Sequence, residues 1–320
     1  MRLRLATFNL ESLDERTEHG TILDARIAVL RPLLTSLNAD ILCLQEVNGQ
    51  STPTGRTLAA LKRLLEGTQY AAFAEAHSGD ASGKPRDVHN LVTLSRFPMR
   101  AQRQIRHEFI TAPLVRICTT VPAPPNASEV TWDRPLLHVT LDVDGKSLDV
   151  INLHLRAPLS VMIPGLKDNA HRWTSVSGWA EGFYISSIKR NGQALEARVV
   201  VDGIFDADPG ARVAVCGDLN SGEHEIPIAT LRGHVDDTGN PALGGRALTG
   251  VEDSLEAKQR FTVRHAGRPL LLDHILVSPT LWSAFRQAEA LNAGLADEVA
   301  DAARGIPGSF HAPLVAEFDL

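Results

Sequence analysis

Cysteine is scarce in this chain of 320 residues: there are three, Cys43, Cys118 and Cys216. An odd count argues against a disulfide framework, and no CxxC spacing suggests a zinc site. Each lies in an apolar run, as in Ile41-Leu42-Cys43-Leu44, and is expected to be a small hydrophobe in the core. No apolar run approaches the length of a membrane span. The opening Met1-Arg2-Leu3-Arg4-Leu5 turns polar too soon for a signal peptide, so the default expectation is cytoplasmic. Positive charge is not in excess: 32 Lys and Arg stand against 38 Asp and Glu, a net charge of −6. That argues against tight, sequence-independent duplex binding and leaves room for a nuclease with a local basic patch. Internal repeats and low-complexity tracts are absent too.

What is present suits a substantial core, with 43% hydrophobic residues. Leu23, Ile27, Leu30, Leu34 and Leu37 form a helical stripe over 22–37, which Pro32 should kink or delay. A second helix is expected at 56–66 and a third at 187–206. Strands are expected at 3–9, 41–44, 69–76, 90–95, 114–121, 135–142, 147–154, 212–216, 261–264, 271–277 and 312–318. Helices and strands interleave without a convincing boundary, so one domain over 1–320 is expected. Residues 156–186 lack periodicity but carry Trp173, Trp179, Phe183 and Tyr184. They are expected to be a loop, either a wall for substrate or a surface segment pinned by its aromatics.

Several polar residues stand where apolar strands end. Glu46 follows Ile41–Leu44; a carboxylate there suits a cation, a cap or a salt bridge. Asp218 and Asn220 stand two apart in Gly217-Asp218-Leu219-Asn220, as do Asn152 and His154 in Asn152-Leu153-His154. In extended backbone such pairs point to one side, although Asp218 and Asn220 also suit an Asx turn. Asp273-His274 precedes Ile275-Leu276-Val277, and His274 should face away from Asp273. His311 lies in Ser309-Phe310-His311-Ala312-Pro313.

With Ala6-Thr7-Phe8-Asn9-Leu10 at the start, these segments in this order resemble the endonuclease/exonuclease/phosphatase superfamily, from residue 7 to residue 313. The resemblance implies a deoxyribonuclease I-like fold of mixed α/β class, with two sheets forming a sandwich flanked by helices in four layers, α/β/β/α. It implies a Mg²⁺- or Mn²⁺-dependent phosphoesterase, and within that class a phosphodiesterase or nuclease. Glu46 is then a metal ligand, with Asn9 in the metal–phosphate site. Asp218 would activate the attacking water, and Asn220 would bind phosphate or position Asp218. His154 and His311 would act on the phosphoryl oxygens, with Asp273 orienting His311. Asn152 and His274 would be structural. Arg134 is a candidate phosphate ligand or an exposed salt bridge, and His89 and Asn90 are further substrate-binding candidates. The partner expected is a phosphodiester in a nucleic acid, a nucleotide or a small molecule, with a lean toward smaller or single-stranded ones. No protein partner is implied.

One position departs from the pattern. The family ending has aspartate before the last histidine, and here that residue is Phe310. Losing a carboxylate should weaken cation binding, or let Phe310 stack on a substrate. Asp297, Glu298 and Asp301 are the nearby acids that could substitute. The alternative reading is a binding protein of the same fold with impaired catalysis.

Overall fold

The computed structural model describes residues 1–15, 22–169 and 172–320. Two six-stranded sheets are built from β1 (Arg2–Leu13), β2 (Ile41–Val47), β3 (Ala74–His77), β4 (Asn90–Ser95), β5 (Met99–Ile105), β6 (Leu136–Val143), β7 (Lys146–His154), β8 (Arg212–Asp218), β9 (Thr249–Gly250), β10 (Asp273–Val277), β11 (Phe285–Ala290) and β12 (Leu314–Asp319). The first runs β11-β12-β1-β2-β4-β3 and the second β9-β10-β8-β7-β6-β5. Each holds one parallel pair at its centre, β1 with β2 and β7 with β8. A parallel pair needs a crossover. Helix α1 (Leu23–Leu37) makes the first, and α3 (Val176–Ala207) makes the second.

Side-chain alternation along the strands assigns three cores. Leu3, Leu5, Ile41, Cys43, Leu148, Val150, Ala214 and Cys216 fill the space between the sheets. Phe8, Leu10, Leu42 and Leu44 face the other way and meet Leu30 and Leu34 of α1 and Leu61 of α2 (Ala59–Leu65). Ile151, Leu153, Val213 and Val215 meet Ala194, Ala197 and Val201 of α3. Helices α1 and α2, two sheets, then α3 give the expected four layers. No helix among the described residues is long and apolar enough to cross a membrane.

Several expectations need correction. Pro32 does not delay α1's start: it is exposed inside a helix that runs from Leu23 to Leu37, above an exposed Ala28 whose carbonyl water can serve. Residues 69–76 begin as a 3₁₀ turn, Gln69–Ala72, before β3. The strand expected at 114–121 shrinks to Leu114–Val115, and Cys118 beside it is exposed rather than core. Residues 156–186 are not all loop, because α3 starts at Val176, capped by the Ser175 hydroxyl accepting from Gly178 N–H. Its first turns bury small and polar groups rather than an apolar stripe; a Cβ at Gly182 would lie 2.4 Å from the Val161 carbonyl oxygen.

Candidate active site

The parallel pairs end at the same place. Asn9 of β1, Glu46 of β2, His154 of β7 and Asp218 of β8 lie at the C-terminal ends of their strands, two from each sheet. Asp273 joins them because β10 runs antiparallel to β8, with Asp273 in register with Asp218. His311 lies three residues before the start of β12. The inter-sheet core is apolar along most of its length and turns polar here. Below the site Gln45 donates to Asn152 Oδ1 (2.8 Å) and Asn152 donates to the Val92 carbonyl (3.0 Å), tying the sheets together. Asn152 is thus structural, as expected.

Local backbone aims the groups. Glu46 would face α1 in regular alternation, yet a left-handed backbone (φ 57°) in a bulged β2 turns it to the site. Gly217 has φ 141°, and a Cβ there would lie 1.9 Å from the Leu153 carbonyl oxygen, so only glycine lets β7 and β8 close up beside Asp218. Asn220 N–H donates to Asp218 Oδ1 (2.9 Å), and its side-chain amide donates to Asp218 Oδ2 (3.1 Å) and to the Leu155 carbonyl (3.1 Å). The Asx turn and the positioning of Asp218 are one arrangement. His274 faces away, as expected, and contacts Glu252 (2.6 Å) and the Ser221 carbonyl (2.8 Å).

The titratable groups converge. His154 Nε2 lies 3.4 Å from Asp218 and 3.6 Å from Glu46. His311 Nδ1–H donates to Asp273 (2.8 Å), and its Nε2 is 3.9 Å from Asp218. Burial, reinforced by Asp273 and Glu46 and opposed by His311, pushes the Asp218 carboxyl up to about 7. Burial would lower His311, but Asp273 and Asp218 outweigh it and raise the imidazole to about 10. His154 falls well below its usual value through burial and the charges of Arg134, His89 and His311, so it is neutral at neutral pH. Burial would raise Glu46, but His89, the Asn9 amide, His311 and Arg134 hold it below the usual carboxylate range.

Asn9 lies between the site's carboxylates. Its amide nitrogen donates to both Glu46 (3.1 Å) and Asp218 (2.9 Å), while its oxygen accepts from Glu11 N–H (2.8 Å). Oriented so, its nitrogen bridges the two carboxylates while its oxygen is engaged by the Glu11 N–H. Arg134 is not an exposed salt bridge. Its guanidinium donates to His89 Nδ1 (2.7 Å), while neighbouring Asp133 takes up Lys189 and Arg156. Asn90 is fully buried and spends its amide on Val47, Arg86 and its own loop, which removes it from the substrate surface. Phe310 is also buried, so its ring has no face free for stacking. Asp297 is committed to the backbone N–H groups of Ala266, Gly267, Val299 and Ala300; Glu298 pairs with His265, and Asp301 with Arg304. None of these three replaces the missing aspartate.

Sequence reasoning missed Glu11 and Ser12. Ser12 donates to Glu46 Oε2 from its N–H (2.9 Å) and hydroxyl (3.2 Å), and Glu11 accepts from Phe310 N–H (2.6 Å). The expected strand stopped at Asn9, and the only available signal was their position directly after it.

A cation suits the donors. Glu46, His154 and Asp218 each present a ligand atom within 4.8 Å of the others, as do Asp218, Asp273 and His311. Asp273 Oδ1 is buried without a hydrogen-bond partner. The Asp218 carboxyl, raised by burial and further by Asp273 and Glu46, is a buried acid whose charge a divalent ion would compensate.

Comparison with known proteins agrees with the fold. The model of the Endonuclease/Exonuclease/phosphatase family matches residues 6–294. Truncated TDP2 from Caenorhabditis elegans has a similar fold, with a TM-score of 0.59 at 16% identity over 100% of this chain and 98% of that one. The 3′ phosphatase NExo from Neisseria, bound to product DNA hairpin, gives 0.56 at 17% identity over 99% and 100%. An AP endonuclease from Archaeoglobus fulgidus gives 0.53 at 17% identity, again over 99% and 100%. No curated protein matches the sequence.

Proposed function

This chain belongs to the endonuclease/exonuclease/phosphatase family, and on that footing we propose that it is a metal-dependent phosphodiesterase or nuclease that hydrolyses a P–O bond by in-line attack of water. The carrying observation is the meeting of Asp218, His154 and the Asp273–His311 pair with Glu46 where both sheets end. Glu46 would hold Mg²⁺ or Mn²⁺, which when bound neutralises phosphoryl charge and draws electrons from the phosphorus.

The residues divide the remaining work. Asp218, with a carboxyl near neutrality, takes the proton of the attacking water. Asn9 and Asn220 fix its orientation. His311, held charged by Asp273, donates to a phosphoryl oxygen from Nε2. Neutral His154 contributes a further hydrogen bond. Arg134 and His89 form the outer edge, with the guanidinium in contact with the His89 ring. The family neighbours that act on DNA support a nucleic acid or nucleotide substrate, and the net charge of −6 favours a short or single-stranded one over long duplex.

The test is hydrolysis of an activated phosphodiester and the matching monoester, with Mg²⁺ or Mn²⁺ titrated and Asp218→Ala and His311→Ala as controls. Cation-dependent turnover lost in both variants is expected. Tight binding of a phosphorylated ligand with no turnover above the variants would favour the impaired binding protein that Phe310 suggests.

A further inference from the structure

We propose that a cleft on the outer face of the second sheet, at the end away from the catalytic residues, is a separate binding site for a phosphomonoester of the nucleoside monophosphate class. The inference goes beyond the phosphoesterase reading, and none of the cleft's residues belongs to that site.

The cleft measures about 720 Å³ and opens between α3 and strands β5, β6 and β7. That volume lies in the range of small-molecule sites. Asp149 on its floor precedes His154 by five residues along β7, which is roughly 17 Å of strand.

The way α3 covers the sheet leaves this space. Ala194, Ala197 and Val201 seal the part nearer the catalytic end, where they meet Ile151, Leu153 and Val215. Farther along, the same face of the sheet turns polar. His138 stands in register with Ile151 on one side and with Arg103 on the other, and Thr140 with Asp149. His138 Nε2–H and the Thr140 hydroxyl both donate to Asp149, at 2.8 and 2.7 Å. The His138 residue is only 9% exposed, and its Nδ1 finds no partner in the protein. Such groups cannot be sealed beneath an apolar helix face without cost, and here a cleft remains over them.

Gly203 of α3 keeps the cleft open. Glycine inside a helix is destabilising relative to alanine. Elsewhere in α3 packing demands it: a Cβ at Gly182 or Gly192 would lie 2.4 or 2.2 Å from a neighbouring atom. At Gly203, which lines the cleft, a Cβ would meet nothing within 4 Å. The fold has no packing need for glycine at this point, so its effect is to leave room.

The lining indicates what enters. Arg100, Arg103, Lys146 and Arg212 edge the cleft. Arg100 pairs with Asp142 (2.8 Å) and Arg103 with Glu108, whereas Lys146 and Arg212 form no salt bridge with a described residue. Of the acids in the lining, Asp149 is committed to His138 and Thr140, and Asp208 accepts from Gly210 N–H (2.9 Å). In a chain of net charge −6 this is a local surplus of positive charge, suited to a phosphate dianion. Val199, Val200, Ile204 and Ala207 add an apolar wall, and Phe109 adds an exposed ring. These suit a flat, weakly polar group attached to the phosphate, as a nucleobase is.

The test is calorimetric titration of AMP into the full chain in EDTA, with adenosine and inorganic phosphate titrated separately. The wild type should bind AMP more tightly than either fragment. Lys146→Gln with Arg212→Gln should weaken AMP binding by about tenfold or more. Gly203→Leu, which fills the cleft from the helix side, should abolish it while melting no lower than the wild type. Arg134→Ala with His311→Ala, which disarms the catalytic site, should leave AMP binding intact. Binding lost in that last pair and kept in Gly203→Leu would put AMP at the catalytic site and overturn the inference. A wild-type protein that binds no AMP, or binds adenosine as tightly, overturns it as well.

Discussion

His311 rests its Nδ1 on the carboxylate of Asp273, 2.8 Å away, and that carboxylate is fully buried. The pair decides the charge of the ring. With its value raised to about 10, His311 is protonated at neutral pH. A histidine raised in this way adds stability that is fully present below its unfolded value near 6.5 and is lost as pH rises through about 10. Asp273→Asn should therefore show its full stability deficit at pH 6, with the deficit shrinking toward pH 10. Turnover should fall by about 10²-fold or more. NMR titration of labelled histidine gives the direct reading: a His311 ring already neutral at pH 8 in the wild type contradicts this account.

Asp218 has the opposite sign. Its folded value of about 7 lies above the usual 3.8, so between those limits the folded protein holds a proton that the unfolded chain has released. Without metal, this group's contribution to stability falls as pH rises from about 4 through about 7. Asp218→Asn should melt higher than wild type at pH 8 in EDTA, by roughly 2 °C or more, and the gap should close toward pH 4. The same variant should be inactive. Equal melting at pH 8 would mean that Asp218 is not under electrostatic stress.

Arg134 should matter for substrate and little for the fold. Its guanidinium is held by contact with His89 rather than by an acid. Removing a charge-assisted hydrogen bond costs about 1.5–3 kcal/mol, so Arg134→Ala should lower kcat/KM by about tenfold or more. Arg134→Lys should recover little of it, because an ammonium cannot keep the planar contact. Steady-state kinetics on the diester decide this, and a variant with unchanged kcat/KM would place Arg134 outside the substrate's reach.

Arg26 is a structural counterpart. Replacing it with Met keeps most of its volume but leaves the carbonyls of Glu11, Ser12 and Gly308 short of a donor in a buried setting. At about 1–3 kcal/mol for an unsatisfied buried group, Arg26→Met should lose about 3 kcal/mol or more in urea unfolding. A loss below about 1 kcal/mol would show that water replaces the guanidinium.

How far the sequence revealed this arrangement depends on the kind of backbone involved. Asn152 and His154, and Asp273 beside His274, were legible because alternation in a regular strand fixes which face each residue takes. Glu46 was legible only through its neighbours, since its left-handed backbone defeats alternation. Glu11 and Ser12 were hidden for the same reason, with no glycine to mark the turn. Asn90 was misjudged because a buried asparagine serving backbone carbonyls looks, in sequence, like one that awaits a ligand. Edge strands β5 and β11 went unseen because they are mostly exposed and carry little apolar patterning. The first turns of α3 went unseen because glycine and polar groups make up the face they bury.

The joint origin of the site in both sheets has a consequence for how the chain matures. Asn9 is translated long before His311, and strand β12, which follows His311, lies between β1 and β11 in the first sheet. The first sheet cannot close until that last strand arrives. Until His311 and β12 have been made, the carboxylates and histidines that the two sheets bring together cannot all meet.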